Sequence, residues 1–245
     1  IVKLRENKRQ RVRGRLMLVE GWDELNLALA SGMLPEAVLM APELTTLLLE
    51  GSISRPLTVS RTVFEKISYR ENPDGWLGIF PIPERSLEDI QLSASPLVII
   101  AESVEKPGNL GAILRTADAA SVDALLVSDP RADLWNPNVV RASRGAIFTV
   151  PAVEVGNTTA LDWLRSRKIE ILAATPSATM PYTQVDLTKP IAIAVGTEDE
   201  GLTDFWLSNA EQKVLIPMSG RVNSLNVSIA TALIVYEAIR QRKNS

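Results

Sequence analysis

Leu97-Val98-Ile99-Ile100-Ala101, followed after a short loop by Pro107-Gly108-Asn109-Leu110-Gly111-Ala112-Ile113-Leu114-Arg115-Thr116-Ala117, decides the fold. The first run is apolar without alternation, the pattern of a strand covered on both faces. The second has a helical period, with Leu110, Ile113, Leu114 and Ala117 on one inward face and Asn109 as candidate N-cap. Arg115 falls off that face. Gly111, four residues earlier, leaves room beside the guanidinium for a ligand. A plain helix-surface Arg115 paired with Asp118 is the alternative.

The same alternation continues to the C-terminus. Strands are predicted at about 97–101, 122–128, 148–153, 169–174, 190–195 and 213–216, and helices at about 109–120, 137–143, 158–167, 203–209 and 224–241. Val/Ile-rich strands alternating with helices imply a parallel sheet with helices on both faces. In such sheets ligands sit beyond the carboxyl ends of the strands. Upstream, strands at 16–20, 37–40, 57–59 and 75–82 alternate with helices at 22–30, 42–49 and 61–69, a smaller α/β unit ending near residue 85. The polar, proline-bounded stretch 83–96 reads as a linker, dividing the chain into domains 1–92 and 93–245.

Two more segments open at predicted strand ends. Ile191-Ala192-Ile193-Ala194-Val195 empties into Gly196-Thr197-Glu198-Asp199-Glu200-Gly201-Leu202, which taken alone is an acidic loop. Ile216-Pro217-Met218-Ser219-Gly220-Arg221-Val222-Asn223-Ser224-Leu225-Asn226-Val227-Ser228 delivers Ser224 and Asn226 to the start of a long helix. That helix is apolar almost all round and must be buried against its own domain or a partner subunit. The simpler reading of Ser224 or Asn226 is an N-cap that satisfies orphan backbone N–H groups.

Together and in this order, the three segments resemble the signature motifs of the SpoU (TrmH-type) RNA ribose 2′-O-methyltransferases of the SPOUT superfamily. Motif one is matched by Asn109, Gly111, Arg115, Thr116 and Ala117, and motif two by Gly196, Glu198, Gly201 and Leu202. Motif three is matched by Ile216, Pro217, Gly220, Ser224, Leu225, Asn226 and Val227, with Asn223 standing where the family more often has an acidic residue. The resemblance implies a small N-terminal α/β RNA-binding domain and a C-terminal parallel-sheet domain with a deep trefoil knot around S-adenosylmethionine. It implies a homodimer and RNA as substrate, with ribosomal RNA favoured over transfer RNA. Arg115 is implied as the catalytic residue, with Asn109, Glu198, Ser224 and Asn226 around it, and Gly196, Ile216 and Leu225 as cofactor contacts through loop backbone. A guanidinium stays protonated, so the physical expectation is that Arg115 grips a phosphate and stabilises the developing alkoxide, oriented by Glu198 or Ser224. The rival reading is a catalytically silent RNA-binding protein on the same scaffold.

Composition narrows the alternatives. With 245 residues, 46% of them hydrophobic, the chain can bury a large core in one or two domains. No apolar run reaches the roughly 18 to 20 residues that span a bilayer, and no segment reads as a signal peptide, so a cytoplasmic protein is expected. Without cysteine, thiolate chemistry and disulfides are excluded. Without histidine, the usual general base and the commonest metal ligand are missing, and no metal is expected. The α/β pattern alone would suit a dinucleotide-binding oxidoreductase, but no Gly-x-Gly-x-x-Gly turn follows the first strand.

Net charge is only −3, yet Lys3, Arg5, Lys8, Arg9, Arg11, Arg13 and Arg15 crowd the first fifteen residues. Such a segment neutralises phosphates, and Lys8, Arg9, Arg11 and Arg13 are the candidate RNA contacts; a solvated tail is the alternative. Arg141 and Arg144 read equally as RNA contacts of the catalytic domain or as surface arginines. Trp22, Trp76, Trp135, Trp163 and Trp206 are scattered, without the aromatic platform of a single-strand binder.

Overall fold

The computed structural model describes residues 1–48, 56–197, 199–221 and 224–243. The chain opens not with a tail but with two short helices, α1 (Val2–Glu6) and α2 (Lys8–Gly14). Asn7 caps the second by accepting from the Arg9 backbone N–H at 2.9 Å. They lead into β1 (Leu16–Glu20), α3 (Trp22–Ala30), β2 (Ala37–Met40), β3 (Leu57–Thr58), α4 (Arg61–Ile67) and β4 (Trp76–Pro81). The sheet order is β1-β4-β2-β3, with β4 antiparallel to both neighbours and β3 parallel to β2. The helix expected over 42–49 is not seen among the described residues: 42–44 make a turn and 45–48 run on without helix, while Leu49 lies outside the described residues. Two carbonyls of this stretch accept from indoles, Leu48 O from Trp22 Nε1 at 2.9 Å and Leu47 O from Trp76 Nε1 at 3.3 Å.

The larger unit runs β5 (Leu97–Glu102), α5 (Pro107–Ala119), β6 (Ala124–Ser128), α6 (Pro137–Ser143), α7 (Ala146–Thr149), β7 (Ala152–Val155), α8 (Asn157–Ser166), β8 (Glu170–Ala174), β9 (Met180–Pro181), β10 (Ile191–Val195), α9 (Asp204–Asn209), β11 (Gln212–Leu215) and α10 (Val227–Lys243). Its seven strands are parallel, in the order β7-β6-β5-β10-β8-β11-β9. Every residue of β5, β6 and β10 is buried, as unalternating apolar runs require. Leu97, Ile99 and Ala101 enter one core with α5, α6 and α10, while Val98 and Ile100 enter a second core with α8 and α9. The strand expected at 148–153 starts later, at Ala152: Ala146, Ile147 and Phe148 bury themselves as a helical turn, tertiary packing overriding the β preference of Phe148-Thr149-Val150.

The first core does not stop at the linker. It continues through Met17, Val19, Leu25, Trp76 and Phe80 of the small unit, so the two halves meet across apolar contact. The linker is itself pinned, with Leu87 and Ile90 buried and Leu87 O accepting from Trp163 Nε1 at 3.0 Å.

Candidate active site

Motif one is built on α5, which starts at Pro107 with Lys106 in the N-cap position. Pro107 suits the first helical turn because its missing N–H has no intrahelical partner there. Asn109 is therefore inside the helix rather than its cap, and its side chain is used elsewhere. Leu110, Ile113, Leu114 and Ala117 are fully buried, as the period predicted. The reason for Gly111 differs from the one expected. A Cβ there would lie 2.4 Å from Ala142 Cβ and 2.9 Å from Ser143 N, so the glycine lets α6 pack directly on α5 and opens no space for a ligand.

Motif two leaves β10 as a closed loop. Thr197 and Gly201 exchange both backbone hydrogen bonds at 3.1 Å, and Glu200 N–H donates to Thr197 Oγ1 at 3.1 Å. A Cβ on Gly196 would sit 2.1 Å from the carbonyl carbon and oxygen of Gly201, so only glycine lets the two ends of the loop touch. Glu198, at the centre of this motif, lies outside the described residues.

Motif three ends where α10 begins. Asn226 Oδ1 accepts from Ser228 N–H at 3.0 Å and from Ser228 Oγ–H at 2.6 Å, the capping role expected of it. Its Nδ2 donates across the site to Asn109 Oδ1 at 3.1 Å. Capping and bridging are thus done by one side chain.

The loops of motifs two and three line a cleft of about 1030 Å³ beyond the carboxyl ends of β8, β10 and β11. Gly196, Ile216, Ser224 and Leu225 all face it, with Leu202 and Val195 adding apolar surface. Asn109 meets Thr197, Asp199 and Glu200 in an adjoining small pocket, where Arg131 pairs with Glu105 and lies 3.7 Å from Glu200. The Glu105 hydrogen bond raises the Arg131 pKa above its ordinary value. The closed loop of motif two presents main-chain groups beside apolar side chains, which fits a flat heterocycle and sugar. The residues present therefore fit S-adenosylmethionine. Among the described residues no cluster of three or more His, Cys, Asp or Glu is arranged to hold a metal.

Arg115 stands elsewhere. It is exposed, forms no ion pair among the described residues, and lines a separate groove of about 770 Å³ between α5, α7 and α10, together with Arg144, Ser228 and Tyr236. Asp118 lines the same groove, but its carboxylate accepts from Thr149 Oγ1 at 2.5 Å. Ser224 thus lines the cleft and Asn109, bonded to Asn226, lines the small pocket beside it, whereas Arg115 reaches solvent on the side of α5 that looks toward α10. The side of α10 along this groove carries exposed Ile229, Leu233 and Tyr236, so the expectation that α10 is wholly covered does not hold within one chain.

The basic residues also divide. Arg11 is a correction: it is 2% exposed, and its Nε and Nη2 donate to Asp133 at 3.0 and 2.7 Å. A further bond to Leu4 O at 2.5 Å makes it a tie between the amino-terminal helices and the large unit, with no surface left for a phosphate. Lys8, Arg9 and Arg13 are exposed around it. Beside the tie, burial raises the Glu154 pKa, although the Leu134 N–H it accepts opposes the shift. Arg141 and Arg144 are exposed; the Arg141 guanidinium lies 5.4 Å from the centre of the Tyr69 ring and donates to Asn138 Oδ1 at 3.3 Å, linking the two units. Tyr69 is expected from the sequence only as the end of a helix over 61–69; α4 stops at Ile67, and Tyr69 lies beyond it at the junction. Glu102 was missed, though a carboxylate closing an otherwise apolar strand was a signal.

Comparison with known proteins agrees with this geometry. The SpoU rRNA Methylase family model matches residues 96–236, and the MRM3-like substrate binding domain matches residues 1–78. The chain is 32% identical over 178 residues to a 23S rRNA (uridine(2479)-2′-O)-methyltransferase of Streptomyces viridochromogenes, an alignment that covers 70% of this chain and 62% of that protein. It is 28% identical over 230 residues to the 23S rRNA (guanosine(2553)-2′-O)-methyltransferase RlmP of Bacillus subtilis (strain 168), covering 94% of this chain and 90% of the relative. Among solved structures, an RNA 2′-O ribose methyltransferase superposes with TM-score 0.86 at 39% identity, covering 99% of this chain and 94% of that one. The SpoU methyltransferase AviRb of Streptomyces viridochromogenes, in complex with AdoMet, superposes with TM-score 0.89 at 27% identity, covering 99% and 96%. With three motifs in order, a parallel sheet that brings their loops together and a family match over more than half its length, the chain belongs to the SpoU rRNA methylase family.

Proposed function

We propose that this protein is an S-adenosylmethionine-dependent methyltransferase acting on a ribose 2′-hydroxyl of ribosomal RNA. The observation that carries the reading is the hydrogen bond from Asn226 to Asn109, which joins motifs one and three at the small pocket adjoining the cleft of motifs two and three. The relatives' names point to 23S rRNA, which favours ribosomal over transfer RNA. The cofactor supplies an activated sulfonium methyl, so the protein's work is to hold the acceptor hydroxyl in line, assist loss of its proton and exclude water.

In this reading Gly196, Ile216 and Leu225 hold the cofactor, largely through loop backbone, and Asn109, Glu198, Ser224 and Asn226 order the acceptor. Arg115 grips the target phosphate and stabilises the developing alkoxide as a charged hydrogen-bond donor. Lys8, Arg9, Arg13, Arg141 and Arg144 neutralise RNA phosphates, residues 1–92 serving as the substrate domain and 93–245 as the catalytic domain. A deep trefoil knot belongs to the same reading, supported by the return of motif three onto α5. So does a homodimer, supported by exposed Ile229, Leu233 and Tyr236 on α10 beside Arg115. Among the described residues no helix is long and apolar enough to cross a membrane; a cytoplasmic location belongs to the same reading, supported by ribosomal RNA as the substrate.

The experiment is a map of ribose methylation across ribosomal RNA, from cells with and without the protein, joined to transfer of labelled methyl from S-adenosylmethionine to unmodified rRNA by the purified chain. One 2′-O-methyl group that disappears and is restored in vitro supports the assignment. An unchanged map together with no transfer supports the catalytically silent RNA-binding reading instead.

A further inference from the structure

At the carboxyl end of β5, Glu102 is 1% exposed, and three donors face its carboxylate. Oε2 accepts from the Thr203 backbone N–H at 2.8 Å, and Oε1 accepts from Thr203 Oγ1 at 2.7 Å and from Asn157 Nδ2 at 3.1 Å. Thr203 immediately follows Leu202, the last residue of motif two, and stands at the N-cap of α9. Its hydroxyl makes no capping bond there; it turns to Glu102. Asn157 is fixed in turn, accepting from Trp206 Nε1 at 2.8 Å and donating to Asp129 at 2.6 Å. Burying a carboxylate is costly unless its oxygens are satisfied, and here all three bonds run to neutral donors that only an acceptor can complement. Every member of the cluster is hydrogen-bonded, and through Thr203 it is joined to the end of the loop that runs from Gly196 to Leu202.

We propose that Glu102 is a positioning residue for the cofactor cleft: by clamping both polar groups of Thr203 it fixes the exit of the motif-two loop, and so sets the affinity for S-adenosylmethionine. The loop has two anchors. One is internal, the paired bonds between Thr197 and Gly201. The other is Thr203 on Glu102, which ties the loop to the strand that leads into motif one. Without the second, the closed loop keeps its shape but loses its fixed height over the cleft, and preorganisation for the adenosyl group falls.

This inference rests on the cleft being the cofactor site, and the test separates the two. S-adenosylmethionine and S-adenosylhomocysteine are titrated calorimetrically into the full-length wild type, Glu102→Gln, Thr203→Val, Thr203→Ser and the double variant Glu102→Gln/Thr203→Val, with thermal melting and rRNA binding measured on the same samples. Glu102→Gln keeps the shape but sets an amide N–H₂ against a donor. Expected results are about a tenfold weaker Kd for both ligands in Glu102→Gln and in Thr203→Val, near wild-type affinity in Thr203→Ser, and a double variant no worse than the weaker single. The KM for S-adenosylmethionine rises by the same factor while kcat and rRNA affinity stay within about twofold. Should Glu102→Gln fail to fold, the Thr203 pair decides. Variants that melt earlier yet bind both ligands as wild type does overturn the proposal. A wild type that binds neither ligand overturns the functional reading itself.

Discussion

Asn226 Nδ2 donates to Asn109 Oδ1 at 3.1 Å, joining two residues 117 positions apart in the chain. The bond links the start of α10 to the first turns of α5 and so couples motif three to motif one. A neutral hydrogen bond contributes roughly 0.5–1.5 kcal/mol. Asn109→Ala is expected to lower kcat/KM by about tenfold and Asn226→Ala by more, since it also removes the cap on Ser228; the double variant should fall little below Asn226→Ala, because the shared bond is already broken. Strict additivity in a double-mutant cycle on methyl transfer contradicts a shared role.

Arg115 is exposed and lies in the groove beside α10, away from the cleft that collects motifs two and three. S-adenosylmethionine affinity is therefore expected to stay within a few-fold in Arg115→Ala, while the proposed role of Arg115 on the target phosphate and alkoxide predicts that turnover is abolished. Arg115→Lys keeps the charge but not the planar fork, and should recover little. Single-turnover methyl transfer together with calorimetry checks both halves. A rate for Arg115→Ala within about tenfold of wild type excludes the guanidinium from chemistry.

Gly196 has no room for even one methyl group, since a Cβ would meet the Gly201 carbonyl at 2.1 Å. That obstacle is backbone, so relief requires the motif-two loop to open. Gly196→Ala is expected to weaken S-adenosylmethionine binding by at least about tenfold, with a smaller loss in melting temperature because the loop sits at the end of the sheet. Calorimetric affinity equal to wild type removes Gly196 from the cofactor site.

Glu237 on α10 gives a pH dependence. Its carboxylate accepts from Arg240 Nε and Nη2 at 2.8 and 2.7 Å and from Gln241 at 2.8 Å, and is held down to about 2 from an ordinary 4.5, the Arg240 bond being the main cause. A depressed carboxylate pKa adds stability above the unfolded value, which drains away as pH falls from about 4.5 toward about 2. Arg240 is 60% exposed, so salt screens part of the effect. Urea denaturation at several pH values should show the gap between wild type and Glu237→Gln constant above pH ~5 and closing below pH ~4. The chain has no histidine, so no imidazole adds a slope between pH ~5 and ~8.

Much of this was legible where one physical signal dominated. The unalternating runs at Leu97–Glu102 and Ile191–Val195 could only be strands buried on both faces, and their loops had to open at the ligand-binding edge of the sheet. What escaped were long-range pairings. Gly111 reads as space for a ligand until α6 is seen against it, and Arg11 reads as a phosphate contact until Asp133, 122 positions away, is found beneath it. Residues 42–49 read as a helix because no periodicity reports the two indoles, Trp22 and Trp76, that bond the Leu48 and Leu47 carbonyls. Arg115 was read correctly as lying off the apolar face of its helix, but that face opens on a groove whose occupant a single chain does not reveal.

Arg11 and its neighbours separate structure from RNA binding within one helix. The Arg11 and Asp133 side chains are 3% and 9% exposed, and removing one member of a buried pair leaves the other charge unpaired, at a cost of about 3–5 kcal/mol. Arg11→Ala is expected to lower stability by that order and to loosen α1 and α2 from the large unit. Lys8, Arg9 and Arg13 are exposed, so alanine there should leave stability within about 0.5 kcal/mol. Each replacement should instead reduce the slope of log Kd for rRNA against log salt by about one. Denaturation curves and salt titrations on the same four variants give the answer: a salt slope altered by Arg11→Ala under conditions where the variant remains folded, and unaltered by the other three, reverses the assignment.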